Sequence, residues 1–100
     1  GHTASLFAGT GATDQTERSV VANYVPSLES WRLTMTYRLL NAARNVVFLV
    51  TGTEKVETLR RALAGDPMLP VTGIRPNAGR VLWLVDRAAG ASVATNGGSA

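Results

Sequence analysis

Three side chains carry most of the chemistry that this sequence could perform: His2, Arg32 and Lys55. Histidine exchanges a proton near neutral pH because its ordinary pKa is about 6.5. His2 is the only histidine and Lys55 the only lysine in the 100 residues. On residue type alone, His2 is either a disordered residue or tag remnant near the start of the sequence, or a functional residue. Arg32 either packs its stem on Trp31 or binds an anion.

A short turn that contains Gly52 and Thr53 leads from an apolar run into a helical pattern and places Lys55 in the first turn of the helix. Thr53 is expected to cap this helix. Free N–H groups at a helix N-terminus attract anions, whereas a lysine there opposes the helix dipole by about 0.3–1 kcal/mol. Either Glu54 and Glu57 or a bound phosphate therefore compensates for the charge of Lys55.

Apolar periodicity predicts the elements that position these residues. Strands are predicted at Val20–Val25, Arg32–Thr36, Asn45–Val50 and Val81–Val85, and helices at Tyr37–Arg44 and Glu54–Ala64. The last two strands are wholly apolar, which is typical of strands covered on both faces. Because a helix lies between them, we predict a right-handed β–α–β unit with parallel strands.

The two ends of the chain have weaker patterns. Residues Gly1–Gly11 are expected to form a loop with a short helical turn at Ser5–Ala8, and Asp86 is expected to cap a short helix that ends at Ala89. From residue 90 the sequence has no core-forming pattern, so residues 1–89 are predicted to fold and 90–100 to be a disordered tail. The predicted elements are too few to cover both faces of an open sheet, so we expect a domain truncated at its N-terminus.

Composition excludes several function classes. The net charge is +3 and the pI about 10.2, but the ten basic residues are scattered from Arg18 to Arg87, which argues against nucleic-acid binding. Cysteine is absent, so the sequence has no disulfide and no thiolate metal site, as expected in a reducing compartment. No apolar run approaches the roughly 20 residues of a membrane span, and no secretory signal is visible.

Five blocks of the sequence, in order, resemble the 6-phosphogluconolactonases. They are Gly1–Phe7, with the histidine; Val25–Leu28 with Trp31–Thr36; Leu40–Ala43 with Val46–Val50; the Gly-x-x-Lys turn Thr51–Lys55; and Ile74–Pro76 with Leu82–Asp86. The related glucosamine-6-phosphate deaminases continue the Gly-His pair with Ile-Ala-Phe-Asn-Glu. The residues Thr3–Phe7 therefore favour the lactonase.

The resemblance implies a fold and a reaction. The fold would be part of a doubly wound, Rossmann-like α/β domain with a mostly parallel sheet and flanking helices. The reaction would be hydrolysis of 6-phosphoglucono-1,5-lactone to 6-phosphogluconate, a cytoplasmic step of the pentose phosphate pathway that needs no metal or cofactor. By the same resemblance His2 would be the general base, and Arg32, Lys55, Gly52 and Thr53 would bind the phosphate of the lactone.

The sequence also departs from the family pattern. Ser27 stands where the family commonly has lysine, and Ala8 stands where it has proline. A glycine-rich phosphate loop and an acidic Asp-Glu-Arg strand are absent, so we expect the chain to need the missing N-terminal half as a partner for activity. The alternatives are a phosphosugar-binding module without turnover, a structural half-domain, and a deaminase-like relative.

Overall fold

The computed structural model describes residues 1–93 of the chain. Two pairs of strands form the framework of this part. The strands are β1 (Val20–Val25), β2 (Ser30–Met35), β3 (Asn45–Val50) and β4 (Arg80–Val85). The α-helices are α1 (Tyr37–Leu40) and α2 (Val56–Leu63). Short 3-10 turns cover Gly11–Asp14, Pro26–Leu28, Thr53–Lys55 and Pro70–Gly73.

The predicted β–α–β unit is confirmed. β3 and β4 pair in parallel from Asn45 opposite Arg80 to Val50 opposite Val85, with α2 in the connection between them. The inner side of this sheet packs on α2: the rings of Phe48 and Trp83 lie 4.4 Å apart, and Leu59 of α2 is only 2% exposed. The unit therefore brings the carboxyl ends of two neighbouring strands together, where α/β folds place their ligands.

The outer side of the same sheet is not covered by any residue in the range 1–93, contrary to the expectation of strands covered on both faces. Val47 pairs with Leu82 and Leu49 with Leu84, and these four side chains form one apolar strip. Their exposure runs from 47% for Leu84 to 76% for Leu49. An apolar strip of this kind is a surface that normally packs against another element.

β1 and β2 form an antiparallel hairpin in a sheet of its own. Pro26 cannot donate to the strand ladder and begins the connecting turn, and Glu29 closes it with a left-handed φ of +46°. The strands alternate sides: Asn23 and Thr34 are buried on one side, while Trp31 on the other is 69% exposed. The buried side carries polar groups, which must find hydrogen-bond partners there.

The structure corrects the predicted helices. α1 ends at Leu40 rather than Arg44. The Asn41 carbonyl, which a longer helix would use for its next bond, accepts instead from the Asn77 N–H of a distant loop at 2.8 Å. The expected cap at Thr53 is wrong, since no side chain caps either the 3-10 turn or α2. Residues 5–8 form no helical turn; the chain makes a tight turn at Thr3–Leu6 and a 3-10 turn at Gly11–Asp14.

The end of β4 leads into hydrogen-bonded turns rather than the expected short helix. Asp86 makes the expected contact, its Oδ1 accepting from the Ala89 N–H at 2.8 Å. Ala89 and Gly90 are buried, and the Val93 N–H donates to the Gly90 carbonyl at 3.0 Å. The expectation for residues 94–100 lies outside the described residues. Among the helices of residues 1–93, none has the length and apolar character needed to cross a membrane.

Candidate functional site

The loop that carries His2 is held by a buried amide of the hairpin. Asn23 is 2% exposed, and its Nδ2 donates to the Ser5 carbonyl and to the Thr10 hydroxyl, both at 2.9 Å. Its Oδ1 accepts from the Ala12 N–H at 3.2 Å. Because every polar atom of this side chain has a partner, the buried amide costs little and fixes the loop against β1.

A second contact fixes the same loop to β2. The Thr34 hydroxyl accepts from the Ser5 N–H at 3.0 Å, and the Leu6 side chain beside it is fully buried. The Leu6 N–H closes the turn by donating to the Thr3 carbonyl at 2.9 Å, with Ala4 at a left-handed φ of +50°. An alanine in this region costs roughly 1–2 kcal/mol, which the surrounding contacts must offset.

A cleft forms where this loop meets the β3–α2 unit. The Gly1 carbonyl accepts from the Val71 N–H at 3.1 Å and brings the first residues against the connection that follows α2. The cleft has a volume of ≈ 270 Å³. Its walls include His2 from the loop, Val50 and Thr51 from the end of β3, and Lys55, Thr58 and Leu59 from the following turn and α2.

His2 lies at the edge of this cleft with one ring face packed on Phe7. The two ring centroids are 4.3 Å apart and the planes 14° from parallel. Partial burial lowers the pKa of the imidazole, and the positive charges of Lys55 and Arg32 lower it further. A lowered pKa keeps the imidazole neutral at neutral pH, and a neutral imidazole can accept a proton.

Lys55 reaches the cleft from the end of β3. The turn after this strand passes through Gly52, whose φ of +97° favours glycine, and the Lys55 N–H donates to the Gly52 carbonyl at 3.2 Å. A Cβ on Gly52 would lie 2.7 Å from both carboxylate oxygens of Glu54. The positive φ therefore favours glycine at this position, whereas the flexible Glu54 side chain can rotate away from an added Cβ.

The Gly52 N–H, predicted to meet a phosphate, is already bonded to a carboxylate. It donates to the two oxygens of Asp86 at 3.2 and 3.3 Å. Sequence reasoning assigned Asp86 only a capping contact and gave Asn23 no role. The available signal for Asp86 was an acidic residue directly after an apolar strand, at the edge where ligands bind. A lone asparagine in β1 carried no comparable signal.

Of the five predicted site residues, two line the cleft and three do not. His2 and Lys55 line the cleft. Thr53 is exposed in the turn, and Gly52 is held by Asp86. Arg32 is exposed on β2, opposite Asn23 and two residues from Thr34. It therefore lies on the side of the hairpin that holds the His2 loop, and its positive charge lowers the pKa of His2.

The arrangement combines a neutral base with two cations. A base at the edge of a cleft can activate a water molecule, and cations beside it can hold an anionic group of the same substrate. Within residues 1–93 no three His, Asp or Glu side chains are grouped as a metal site would require.

Comparison with known proteins identifies the family that this chain resembles. The sequence model of the family described as glucosamine-6-phosphate isomerases/6-phosphogluconolactonase matches residues 1–83. The 6-phosphogluconolactonase of Synechocystis sp. is 41% identical over 93 residues, which cover 90% of this chain and 38% of that protein. The 6-phosphogluconolactonase of Rattus norvegicus is 36% identical over 91 residues, which cover 89% of this chain and 35% of that protein.

A solved structure gives the same likeness. The crystal structure of 6-phosphogluconolactonase from Leishmania guyanensis superposes with a TM-score of 0.78 at 31% identity, covering 93% of this chain and 38% of that one. The first curated relatives are matched over 34% and 35% of their own length. The chain thus spans about a third of the length of these relatives.

The Asn23 amide should be essential for the stability of the His2 loop. Asn23→Ala removes hydrogen-bond partners of the Ser5 carbonyl, the Thr10 hydroxyl and the buried Ala12 N–H, and a buried group left unpaired costs about 1–3 kcal/mol. We expect the free energy of unfolding, measured by urea denaturation, to fall by about 2 kcal/mol or more. The matched control Asn45→Ala, at an exposed strand position, should change it by less than about 0.5 kcal/mol. Equal losses in the two variants would contradict the assignment.

The positive charge of Lys55 should have a measurable effect on the pKa of His2. Because Lys55 lowers the pKa of the imidazole, Lys55→Ala should raise that pKa, so that His2 becomes protonated at a higher pH. The ring protons of His2, followed by NMR through a pH titration, report the change directly. Arg60→Ala is the control, since Arg60 pairs with Glu57 on α2 and is not among the charges that act on His2. An unchanged His2 titration after Lys55→Ala would show that the two side chains do not share the cleft.

Proposed function

The chain belongs to the family of glucosamine-6-phosphate isomerases and 6-phosphogluconolactonases, and on this premise we propose that it forms part of a 6-phosphogluconolactonase. The proposed reaction is hydrolysis of 6-phosphoglucono-1,5-lactone to 6-phosphogluconate, the lactone step of the pentose phosphate pathway. One observation carries the proposal: His2 and Lys55, far apart in the sequence, line the same cleft. A base and a cation in one cleft suit a substrate with a hydrolysable lactone and a phosphate.

His2 is the proposed general base. The neutral imidazole takes a proton from water as the water oxygen bonds to the lactone carbonyl carbon. The tetrahedral intermediate then collapses, the bond from this carbon to the ring oxygen breaks, and the ring oxygen leaves as an alcohol with the proton from the imidazolium. Support comes from the lowered pKa of His2, since a protonated imidazole could not accept the proton.

Lys55 and Arg32 are the proposed phosphate-binding cations. Charge-assisted hydrogen bonds to phosphate are the strongest type that a side chain offers, and Arg can bind phosphate through two N–H groups. Lys55 lines the cleft and Arg32 lies on the hairpin side that holds the His2 loop. Thr53 stands beside Lys55 at the start of the 3-10 turn, within reach of the same phosphate, and Gly52 shapes the turn.

A further part of the domain is the proposed partner of this chain. The relatives extend well beyond the matched region, and the strip of Val47, Leu49, Leu82 and Leu84 is open to solvent in the described structure. A segment packed on this strip would complete the second layer that an α/β sheet requires. We therefore propose that the 100 residues alone are a poor catalyst. We also propose that the completed domain acts in the cytoplasm, a reducing compartment in which proteins rarely depend on disulfides, and the absence of cysteine from this sequence fits that location.

Lys55→Ala and His2→Ala should have separable effects on the completed enzyme. Lys55→Ala should weaken the binding of the phosphorylated lactone by about 1.5–3 kcal/mol, which is the contribution of a charge-assisted hydrogen bond. The turnover of an unphosphorylated lactone should be almost unchanged. His2→Ala should abolish the turnover of both lactones and spare the binding of 6-phosphogluconate. Acid release in a pH-stat gives the rates, and calorimetry gives the binding.

Thermal denaturation without ligand supplies the control for Lys55. Removal of a lysine from the first turn of a helix relieves an unfavourable dipole contact, so the melting temperature should stay the same or rise slightly. Equal loss of rate on both lactones after Lys55→Ala, or a lowered melting temperature with binding intact, would mark Lys55 as a structural surface residue. Full activity after His2→Ala would reject the proposed base.

A further inference from the structure

The carboxylate of Asp86 joins the two turns that follow the carboxyl ends of β3 and β4. Asp86 is the first residue after β4, and its N–H donates to the Val50 carbonyl at 3.2 Å, which extends the β3–β4 ladder by one bond. Its side chain accepts from Gly52 after β3, at 3.2 and 3.3 Å, and from Ala89 after β4, at 2.8 Å. The turn after β3 is thus tied to the turn after β4.

The turn after β3 has little else to fix its position. Gly52 carries no side chain and adopts a φ of +97°. Because glycine populates positive and negative φ about equally, the residue itself does not fix this conformation. No side chain caps the 3-10 turn or the start of α2. The 3-10 turn that begins at Thr53 and carries Lys55 is closed by a bond from the Lys55 N–H to the Gly52 carbonyl. The direction in which Lys55 leaves the turn therefore depends on where Gly52 is held.

We infer that Asp86 is a positioning residue for Lys55. By holding the Gly52 N–H, its carboxylate sets the turn so that the Lys55 side chain enters the cleft beside His2. Asp86 itself does not line the cleft, and it lies outside the residues 1–83 that the family model matches. This role rests on the proposed function, in which Lys55 binds the phosphate of the lactone.

A different role for Asp86 makes the opposite prediction. The carboxylate occupies an N–H that an incoming phosphate could use, and its negative charge would repel that phosphate. If Asp86 acts mainly in this way, its removal should tighten the binding of a phosphosugar. If it positions Lys55, its removal should weaken the binding, and only while Lys55 is present.

A double-mutant cycle on the complete protein that carries these residues separates the two roles. The probe is 6-phosphogluconate, and calorimetry gives its Kd for the wild type, Asp86→Ala, Lys55→Ala and the double variant. We expect Asp86→Ala to raise the Kd about three- to tenfold, as the loss of one or two ordinary hydrogen bonds would, and to change it less than about twofold in the Lys55→Ala background. Equal losses in both backgrounds, or tighter binding after Asp86→Ala, would overturn the inference.

Two further variants make the cycle decisive. Asp14→Ala removes an equal charge from an exposed position in the Gly11–Asp14 turn and should leave the Kd unchanged. Asp86→Asn keeps one acceptor oxygen and should show a smaller loss with the same dependence on Lys55. This milder variant gives the answer if Asp86→Ala does not fold.

The titration of His2 tests the inference without any ligand. Lys55→Ala should raise the pKa of His2 in the wild-type background, and should raise it by less than half as much in the Asp86→Ala background, where the lysine no longer points into the cleft. An equal rise in both backgrounds would overturn the positioning role. A wild-type protein that binds no 6-phosphogluconate would overturn the proposed function instead, and the titration would still decide the role of Asp86.

Discussion

The candidate site depends on a buried amide that does not itself line the cleft, that of Asn23. The hydrogen bonds of Asn23 hold the loop of Ser5, Thr10 and Ala12 to the hairpin, and through this loop they fix the position of His2. The hairpin and the parallel sheet are separate sheets. The base of the site and its principal cation thus come from different parts of the fold, and the loop brings them together.

The parallel sheet contributes the other half of the site by its topology. Two strands that run in the same direction end at the same edge, so the turn with Lys55 and the turn with Asp86 become neighbours without any sequence proximity. Phe48 and Trp83 of the sheet and Leu59 of α2 line the cleft together, so the packing of the sheet on α2 shapes the cleft. The apolar strip on the outer side leaves room for a further layer of the domain.

Strong periodic patterns made much of this fold predictable. The apolar runs of β3 and β4, the helix between them and the parallel direction of the strands follow from the sequence, because apolar strands and amphipathic helices leave a clear pattern. Residues 5–8 and the start of α2 were mispredicted, because single tertiary contacts decide such short turns. The roles of Asn23 and Asp86 depend on hydrogen bonds to residues distant in the sequence, and a local sequence pattern does not reveal such contacts.

A structure of the complete protein with bound 6-phosphogluconate would test the central claim most directly. The account predicts the phosphate within hydrogen-bond distance of Lys55, with Arg32 close by, and the carboxylate of the product, which derives from the lactone carbonyl, beside the His2 ring. The Asp86 carboxylate should still hold the Gly52 N–H. A phosphate bound away from Lys55, or a carboxylate on the far side of the cleft from His2, would contradict the account.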